Sequence, residues 1–365
     1  MPAAPVTGAY VVKLGRDTVA VERFTRTADR LEGDLAIRTG GLRTTHYVMH
    51  LAPDGSVQRM ETSTRPGIGG PDVQPTLSQT VTWVGDTIVT EQKRGDSIRV
   101  VRMAARPGAV VYLPYGYGPY RLAMQRLSQP TDSVMMYPMA AQTIWPLRLR
   151  RISSDSVNLE TFNGVIHANV DSRGQIRRMQ TVGGTFTLGA EAMPYERFPV
   201  IVAQFAESEK SAGVIRQLSI RDSVRAVVGG RANIAIDYHR PAKRGRVIFG
   251  GLVPYDSVWR TGANNATSFR TDTDLIVGDA RVPAGSYTLW SIPSRSGWTL
   301  IINKQTGQWG TIYNREQDLV RIPMQVRTIP ESREQFQITV EPETAGAVLR
   351  LAWDDREAWV PIRLP

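Results

Sequence analysis

Short alternating segments separated by turn residues recur along all 365 residues, and they constrain the fold more than any other feature. Residues 46–51 alternate before the turn Pro53-Asp54-Gly55, and residues 57–62 alternate after it. Turn signals return roughly every ten residues, a spacing typical of antiparallel meanders. The sequence therefore predicts an all-β protein.

Changes in this pattern predict two units. Residues 1–193 hold about ten predicted strands, enough for an antiparallel domain built as a curved sheet or an open barrel. The alternation fails over residues 194–219, where we expect a partly helical linker. Residues 220–365 return to β-rich patterning and form the second predicted unit.

Charge and cysteine content limit the classes of partner and chemistry. The chain has 44 Lys and Arg against 34 Asp and Glu, and only five of the basic residues are lysines. This excess suits acidic protein partners, and an anionic lipid surface is a further candidate. No nucleic-acid motif accompanies the charge, so we expect no nucleic-acid partner. The absence of Cys excludes disulfides, thiolate metal sites and a cysteine nucleophile.

The sequence offers no recognised catalytic or metal-binding motif. It contains no His-Glu-x-x-His helix, no Gly-x-Ser-x-Gly elbow and no phosphate-binding loop. His46 and His50 share one face of a predicted strand, but no third metal ligand lies nearby. We interpret them as half-buried strand residues, and we predict no metal and no cofactor.

A methionine-rich stretch of the first unit has two interpretations. Its side chains are adaptable and apolar, so they suit a cavity for an apolar ligand as well as an ordinary core. The residues concerned are Met124, Met135, Met136 and Trp145.

A loop rich in Gly and Pro concentrates four tyrosines in the same unit. Tyrosine offers contact area together with a hydroxyl, so the loop suits contact with a protein or a glycan. The alternative is a packed loop that closes the sheet. The candidates are Tyr112, Tyr115, Tyr117 and Tyr120.

Motifs of the C-terminal half occur in an order that resembles one bacterial family. They lie at residues 238–255, 258–267, 282–290 and 302–310, and the second reads Val-Trp-Arg-Thr-Gly-Ala-Asn-Asn-Ala-Thr. Residues 219–362 resemble the domain of unknown function 2911, usually found in exported proteins. The resemblance implies a compact β-sandwich-like module and an envelope location, and no assigned activity. Family members usually carry an acidic residue where this chain has Asn265, so a catalytic or metal-binding role for that position would be lost here.

The polar residues of these motifs also have two interpretations. The first is a structural network in which guanidinium and amide groups satisfy loop backbone and carboxylates. The second is an anion-binding pocket. The candidates are Arg246, Arg260, Asn264, Asn265 and Lys304.

These observations predict a non-enzymatic, periplasmic protein that docks as an extrinsic subunit on a larger membrane-associated complex. The chain as a whole is similar to an accessory subunit of a bacterial photosynthetic reaction-centre and light-harvesting complex, although no single motif carries that likeness. One alternative is a carrier of an apolar ligand in the first unit. Another is an envelope hydrolase with a site near Arg260 and Asn264. The small, proline-rich start at residues 1–5 fits either an exported chain that has lost its targeting segment or a cytoplasmic one.

Overall fold

The computed structural model describes residues 4–70, 72–106, 109–125, 127, 130–138, 144–161, 164–172, 174–182, 187–213 and 218–365. The chain divides into two compact units, Met1–Arg216 and Gln217–Pro365. The described residues form 24 strands and two α-helices, which confirms the predicted all-β fold. Neither helix in this part of the chain is long and apolar enough to cross a membrane.

The first unit contains fifteen strands and both α-helices among its described residues. Its elements are β1 (Val6–Leu14), β2 (Asp17–Arg26), β3 (Arg30–Ile37), β4 (Arg43–Leu51), β5 (Val57–Pro66), β6 (Leu77–Val84), β7 (Thr87–Arg94), β8 (Ser97–Ala104), β9 (Val110–Tyr112), α1 (Gly118–Gln125), β10 (Thr131–Pro138), β11 (Trp145–Ser153), β12 (Ser156–Thr161), β13 (Gly164–Val170), β14 (Ile176–Val182), β15 (Leu188–Ala192) and α2 (Arg197–Ala212).

These strands form one sheet in the order β8-β7-β6-β5-β4-β3-β2-β1-β15-β14-β13-β12-β11-β10-β9. Every neighbouring pair is antiparallel except β9 and β10, which run parallel. The sheet is strongly curled. Strands β7 and β10 lie far apart in the strand order, yet Thr90 of β7 shares a hydrogen bond with Tyr137 of β10. The ring of Trp83 on β6 lies 6.0 Å from the same tyrosine ring. The first unit is therefore the curved antiparallel sheet expected from the sequence.

Two-residue turns explain why neighbouring strands pair in chain order. Gly15, Gly85 and Gly95 each open such a turn with a positive φ, between 57° and 60°. Only glycine adopts this conformation without steric cost, and it matches the right-handed twist of the flanking strands.

Helix α2 packs against the outside of the first sheet. Its apolar residues Phe198, Ile201, Val202 and Phe205 recur at helical spacing and are buried against Val21, Ala36 and Leu42. Burying a side chain of this size stabilises the fold by about 2 kcal/mol. The segment predicted as a linker thus carries a helix that belongs to the first core, while its residues 214–217 lie outside the described part.

The second unit forms a nine-stranded sheet in the order β16-β17-β18-β21-β22-β23-β24-β19-β20. Its elements are β16 (Ser219–Val228), β17 (Ala232–Pro241), β18 (Thr267–Thr271), β19 (Leu275–Val277), β20 (Ala280–Val282), β21 (Gly285–Pro293), β22 (Trp298–Asn303), a 3-10 helix (Arg315–Gln317), β23 (Asp318–Glu343) and β24 (Gly346–Arg363).

This second sheet folds back on itself and encloses an aromatic core. The hydroxyl of Tyr238 on β17 accepts a hydrogen bond of 3.0 Å from the backbone N–H of Ile338 on β23, a strand that is not its neighbour in the sheet. Trp259, Phe336 and Trp353 pack between these layers with ring centroids 4.9 to 6.1 Å apart. The arrangement agrees with the sandwich-like module that the sequence resemblance implies.

Candidate functional site

The tyrosine loop is tied to a buried carboxylate inside the first sheet. The backbone N–H groups of Tyr117 and Gly118 donate to Oε2 of Glu22 at 2.6 and 2.9 Å. The hydroxyl of Tyr47 donates to Oε1 of the same residue at 2.7 Å. Tyr117 and Tyr120 are buried. Both therefore pack in the interior and offer little surface to a partner, while Tyr112 and Tyr115 are half-buried.

Glu22 is fully buried and makes no ion pair among the described residues. Burial raises its pKa to about 7, against the opposing effect of the Tyr47 hydroxyl and the two backbone N–H groups. Sequence reasoning missed this residue. The signal was present, because Glu22 alternates with Ala20 and Phe24 at positions where an apolar residue is expected.

Part of the methionine-rich stretch borders a small cavity among the described residues. Met136 lies opposite Trp145 in the β10–β11 pair, whereas the neighbouring Met135 points to the other face. Met136 and the tyrosine loop line a cavity of about 40 Å³. Known small-molecule sites occupy roughly 300–1,000 Å³. Met124 on α1 is half-buried and does not line this cavity.

In the second unit, Arg260 is held inside two loops that bond to each other. We call residues 260–266 and 308–310 the paired loops. Gly310 N–H donates to the carbonyl of Asn264 at 2.9 Å, and Nη1 of Arg260 donates to the same oxygen at 3.0 Å. A Cβ on Gly310 would lie 2.4 Å from Cδ of Arg260, so only glycine fits there. Burial lowers the pKa of Arg260 to about 10, which leaves it protonated at neutral pH.

Backbone strain is concentrated in the same loops. Thr261 has a φ of 50° and Asn264 a φ of 58°. For a β-branched residue such as Thr261 this conformation is unusual and costs free energy. Hydrogen bonds hold it in place, since its Oγ1 bonds Oγ of Ser291 at 3.0 Å and its carbonyl accepts from Oγ1 of Thr267 at 2.7 Å.

Arg246 and Lys304 lie outside the paired loops, whereas Asn265 lies within them. Arg246 donates from Nε to the carbonyl of Lys243 at 3.0 Å and from Nη2 to that of Ala242 at 2.6 Å. Lys304 and Asn265 are exposed. Both arginines thus bond to backbone carbonyls of their own segments, which favours the structural network over the anion pocket.

The two strand histidines each face a carboxylate. Nδ1 of His46 lies 2.9 Å from Asp34, and Nε2 of His50 lies 3.6 Å from Glu61. Among the described residues no group of three or more His, Asp or Glu could hold a metal ion.

An open edge strand is the feature that best fits recognition of another protein. Strand β8 ends the first sheet and pairs only with β7 in the described part of the chain. Its side chains are exposed on both faces, with Ile98 exposed by 61% and Val100 by 43%. Edge strands with exposed apolar side chains are templates for pairing with another chain.

The turn before β8 decides which backbone groups face that open edge. Gly95 and Asp96 form a two-residue turn, so Arg94 and Ser97 are the hydrogen-bonded pair beside it. Bonded and non-bonded pairs then alternate along the hairpin. The backbone N–H and C=O groups of residues 98, 100 and 102 therefore point to the open edge.

The β7–β8 hairpin also carries a group of basic side chains. No ion pair among the described residues involves any of them. They are Lys93, Arg94, Arg99 and Arg102. Sequence reasoning missed this surface, because a hairpin looks the same in sequence at the edge and at the centre of a sheet.

Comparison with known proteins assigns the second unit to a family. Residues 219–362 match the family model described as a protein of unknown function (DUF2911). The second unit is a DUF2911 domain. The paired loops and the Lys243–Arg246 turn both belong to this DUF2911 domain, whereas β8 and Glu22 lie outside it. No curated protein matches the chain.

Two solved structures resemble parts of the chain weakly. A protein of the DUF1089 family from Pseudomonas aeruginosa is 13% identical with a TM-score of 0.33, covering 45% of this chain and 90% of that one. A β-barrel-like protein of the DUF1849 family from Brucella abortus is 8% identical with a TM-score of 0.34, covering 52% and 94%. Neither carries an argument about this chain, and no comparison supports the likeness to a photosynthetic subunit.

Proposed function

We propose that this protein is a non-enzymatic accessory subunit that docks on a larger membrane-associated complex outside the cytoplasm. The observation that carries the proposal is strand β8, an open edge with exposed apolar side chains and basic residues outside any described ion pair. A partner segment would add to the sheet as a further strand, a common mode of protein recognition.

Burial of apolar side chains and formation of backbone hydrogen bonds would both favour such pairing. Covering the exposed parts of Ile98 and Val100 would contribute about 1 kcal/mol each. Each backbone hydrogen bond made along the open edge would contribute roughly another 1 kcal/mol. Both contributions offset part of the free-energy cost of association.

Charge decides the kind of partner. Arg99 and Arg102 give β8 two positive charges and no negative one. A second copy pairing antiparallel about Val100 would bring the two copies of Arg99 to diagonal positions on one face, which like-charge repulsion disfavours. The partner is an extended acidic segment of another protein. In its sharpest form the proposal places that segment in a bacterial photosynthetic reaction-centre and light-harvesting complex.

The test compares the full-length protein with two variants, Val100→Pro and Val100→Thr, for binding to membranes of the source organism stripped of their own copy. Proline removes an N–H that faces the open edge and leaves the β7 ladder intact. Threonine keeps both the N–H and the β-branched shape. We expect the wild type and Val100→Thr to bind saturably and Val100→Pro to bind at least tenfold more weakly.

Equal binding by the Val100→Pro variant, or no binding by any of the three proteins, would refute the proposal. Circular dichroism and the thermal midpoint of each protein show whether the fold is retained. The binding comparison is made only between proteins that match in both.

A further inference from the structure

A groove of about 490 Å³ lies between helix α2 and the β1–β2 hairpin of the first unit. This volume falls within the range of known ligand sites. The groove is remote in sequence from β8, and it belongs to none of the motifs singled out in the sequence. Helix α2 contributes Arg197, Ile201 and Phe205 to the groove. These residues are four positions apart and therefore lie on one face of the helix.

The lining of the groove is strongly basic. One carboxylate, that of Asp17, also lines it. Lys13 is partly neutralised by Glu191 at 3.3 Å, whereas the three arginines take part in no ion pair among the described residues. The four cationic side chains are Lys13, Arg16, Arg38 and Arg197.

Arg38 is held in a fixed position by the helix. Its Nη2 donates to Oγ of Ser208 at 2.9 Å, and its guanidinium carbon lies 5.3 Å from the ring centroid of Phe205. Its Nε is buried without a hydrogen-bond partner among the described residues. A buried donor without a partner costs free energy unless water or a ligand satisfies it.

Apolar residues also line the groove. Ile201 and Phe205 are buried core residues of α2, and Met193 and Val11 pack beside them. A ligand that fills this space therefore meets both guanidinium groups and hydrocarbon.

We propose that this groove binds a phosphate monoester joined to an apolar group. The planar guanidinium fork matches phosphate oxygens, and three such groups favour a doubly charged phosphate over a singly charged carboxylate. The apolar wall selects esters with a hydrocarbon part over bare phosphate. The same chemistry occurs in a lipid headgroup and in a soluble phosphate ester.

Calorimetric titration of the full-length protein tests the proposal with four probes. Phenyl phosphate represents a soluble ester, and dihexanoyl phosphatidic acid represents a lipid. Benzoate and dihexanoyl phosphatidylcholine are the matched controls that lack the doubly charged phosphate. We expect at least one phosphate monoester to bind at least tenfold more tightly than its control. Tighter binding of phosphatidic acid identifies a lipid source, and tighter binding of phenyl phosphate identifies a soluble one.

Variants locate the binding site. Arg16→Gln combined with Arg197→Gln changes two exposed side chains and leaves the Arg38 contacts in place. We expect this double variant to weaken binding at least tenfold, and Arg38→Gln to do the same. Arg231→Gln, an exposed arginine of the second unit, should leave binding unchanged. Three results would overturn the proposal. Neither ester binds, the controls bind as tightly as the esters, or the double variant binds as tightly as the wild type.

Discussion

The two units bury carboxylates in opposite ways. In the first unit, Glu22 is fully buried and, among the described residues, accepts hydrogen bonds from a tyrosine hydroxyl and two backbone N–H groups. In the DUF2911 domain, Glu357 is 5% exposed and pairs with Arg327 at 2.7 Å and Arg350 at 3.1 Å. The described part of the first unit thus offers no cation to its buried carboxylate, whereas the second unit pairs its buried carboxylate with two arginines.

The edge strands of the two units also differ in whether their arginines pair with a carboxylate. Strand β16 ends the second sheet as β8 ends the first. Arg221 and Arg225 on β16 both pair with Asp237 of the neighbouring strand, whereas Arg99 and Arg102 on β8 have no such partner among the described residues. The β16 edge thus pairs its arginines within its own sheet, whereas the described part of the first unit offers no carboxylate to the arginines of β8. We infer that the first unit is the binding half of the molecule and that the second is a structural module.

The substitution Glu22→Gln tests the account of the buried carboxylate in the first unit. It should change the folding stability more than the other substitution considered below. The folded-state pKa of about 7 lies above the ordinary value of 4.5. The stability associated with this shift is complete below pH 4.5 and is lost as the pH rises through about 7. Glutamine resembles the protonated form, so the variant should gain up to about 3 kcal/mol at alkaline pH and nothing at acid pH.

Urea denaturation at several pH values, followed by pulsed hydrogen exchange of the β2 peptide, measures this effect in the full-length chain. A wild-type stability that does not fall between about pH 4 and pH 8 would contradict the account of Glu22.

The substitution of Glu357 by glutamine should lower the free energy of unfolding, whereas Glu22→Gln should raise it. Glu357→Gln leaves Arg327 and Arg350 without their shared carboxylate, and breaking a largely buried pair is costly. We expect a loss of about 2 kcal/mol, smaller than for a fully buried pair because Arg327 is partly exposed. Exchange of the β24 peptide in urea reports this loss. A variant as stable as the wild type at neutral pH would show that the two carboxylates are not in contrasting environments.

Local chemistry made much of the fold predictable from sequence. The Gly95-Asp96 turn requires a positive φ that glycine adopts freely, so the β7–β8 hairpin could be recognised from its residues alone. Gly310 and Asn264 of the DUF2911 motifs likewise occupy positions that few other residues tolerate.

The candidate sites depended on contacts between distant residues and could not be predicted in this way. Arg38 and Ser208 lie 170 positions apart, and Glu22 and Tyr117 lie 95 apart. Whether an arginine meets a carboxylate depends on strand register, which the sequence of one hairpin does not specify. The pairing of Arg225 with Asp237 and the absence of such a pair at Arg99 therefore emerge only in the folded sheet.

Site-specific photo-crosslinking in the source organism tests the central claim most directly. A photoreactive benzoylphenylalanine replaces Val100 on β8 in one variant and Val227, an exposed residue of β16, in the other. We expect Val100 to yield one discrete adduct with another protein through an acidic segment, and Val227 to yield none. An adduct at Val227 of equal yield, an adduct at Val100 with a second copy of this chain, or no adduct at Val100 would contradict the assignment of binding to the first unit.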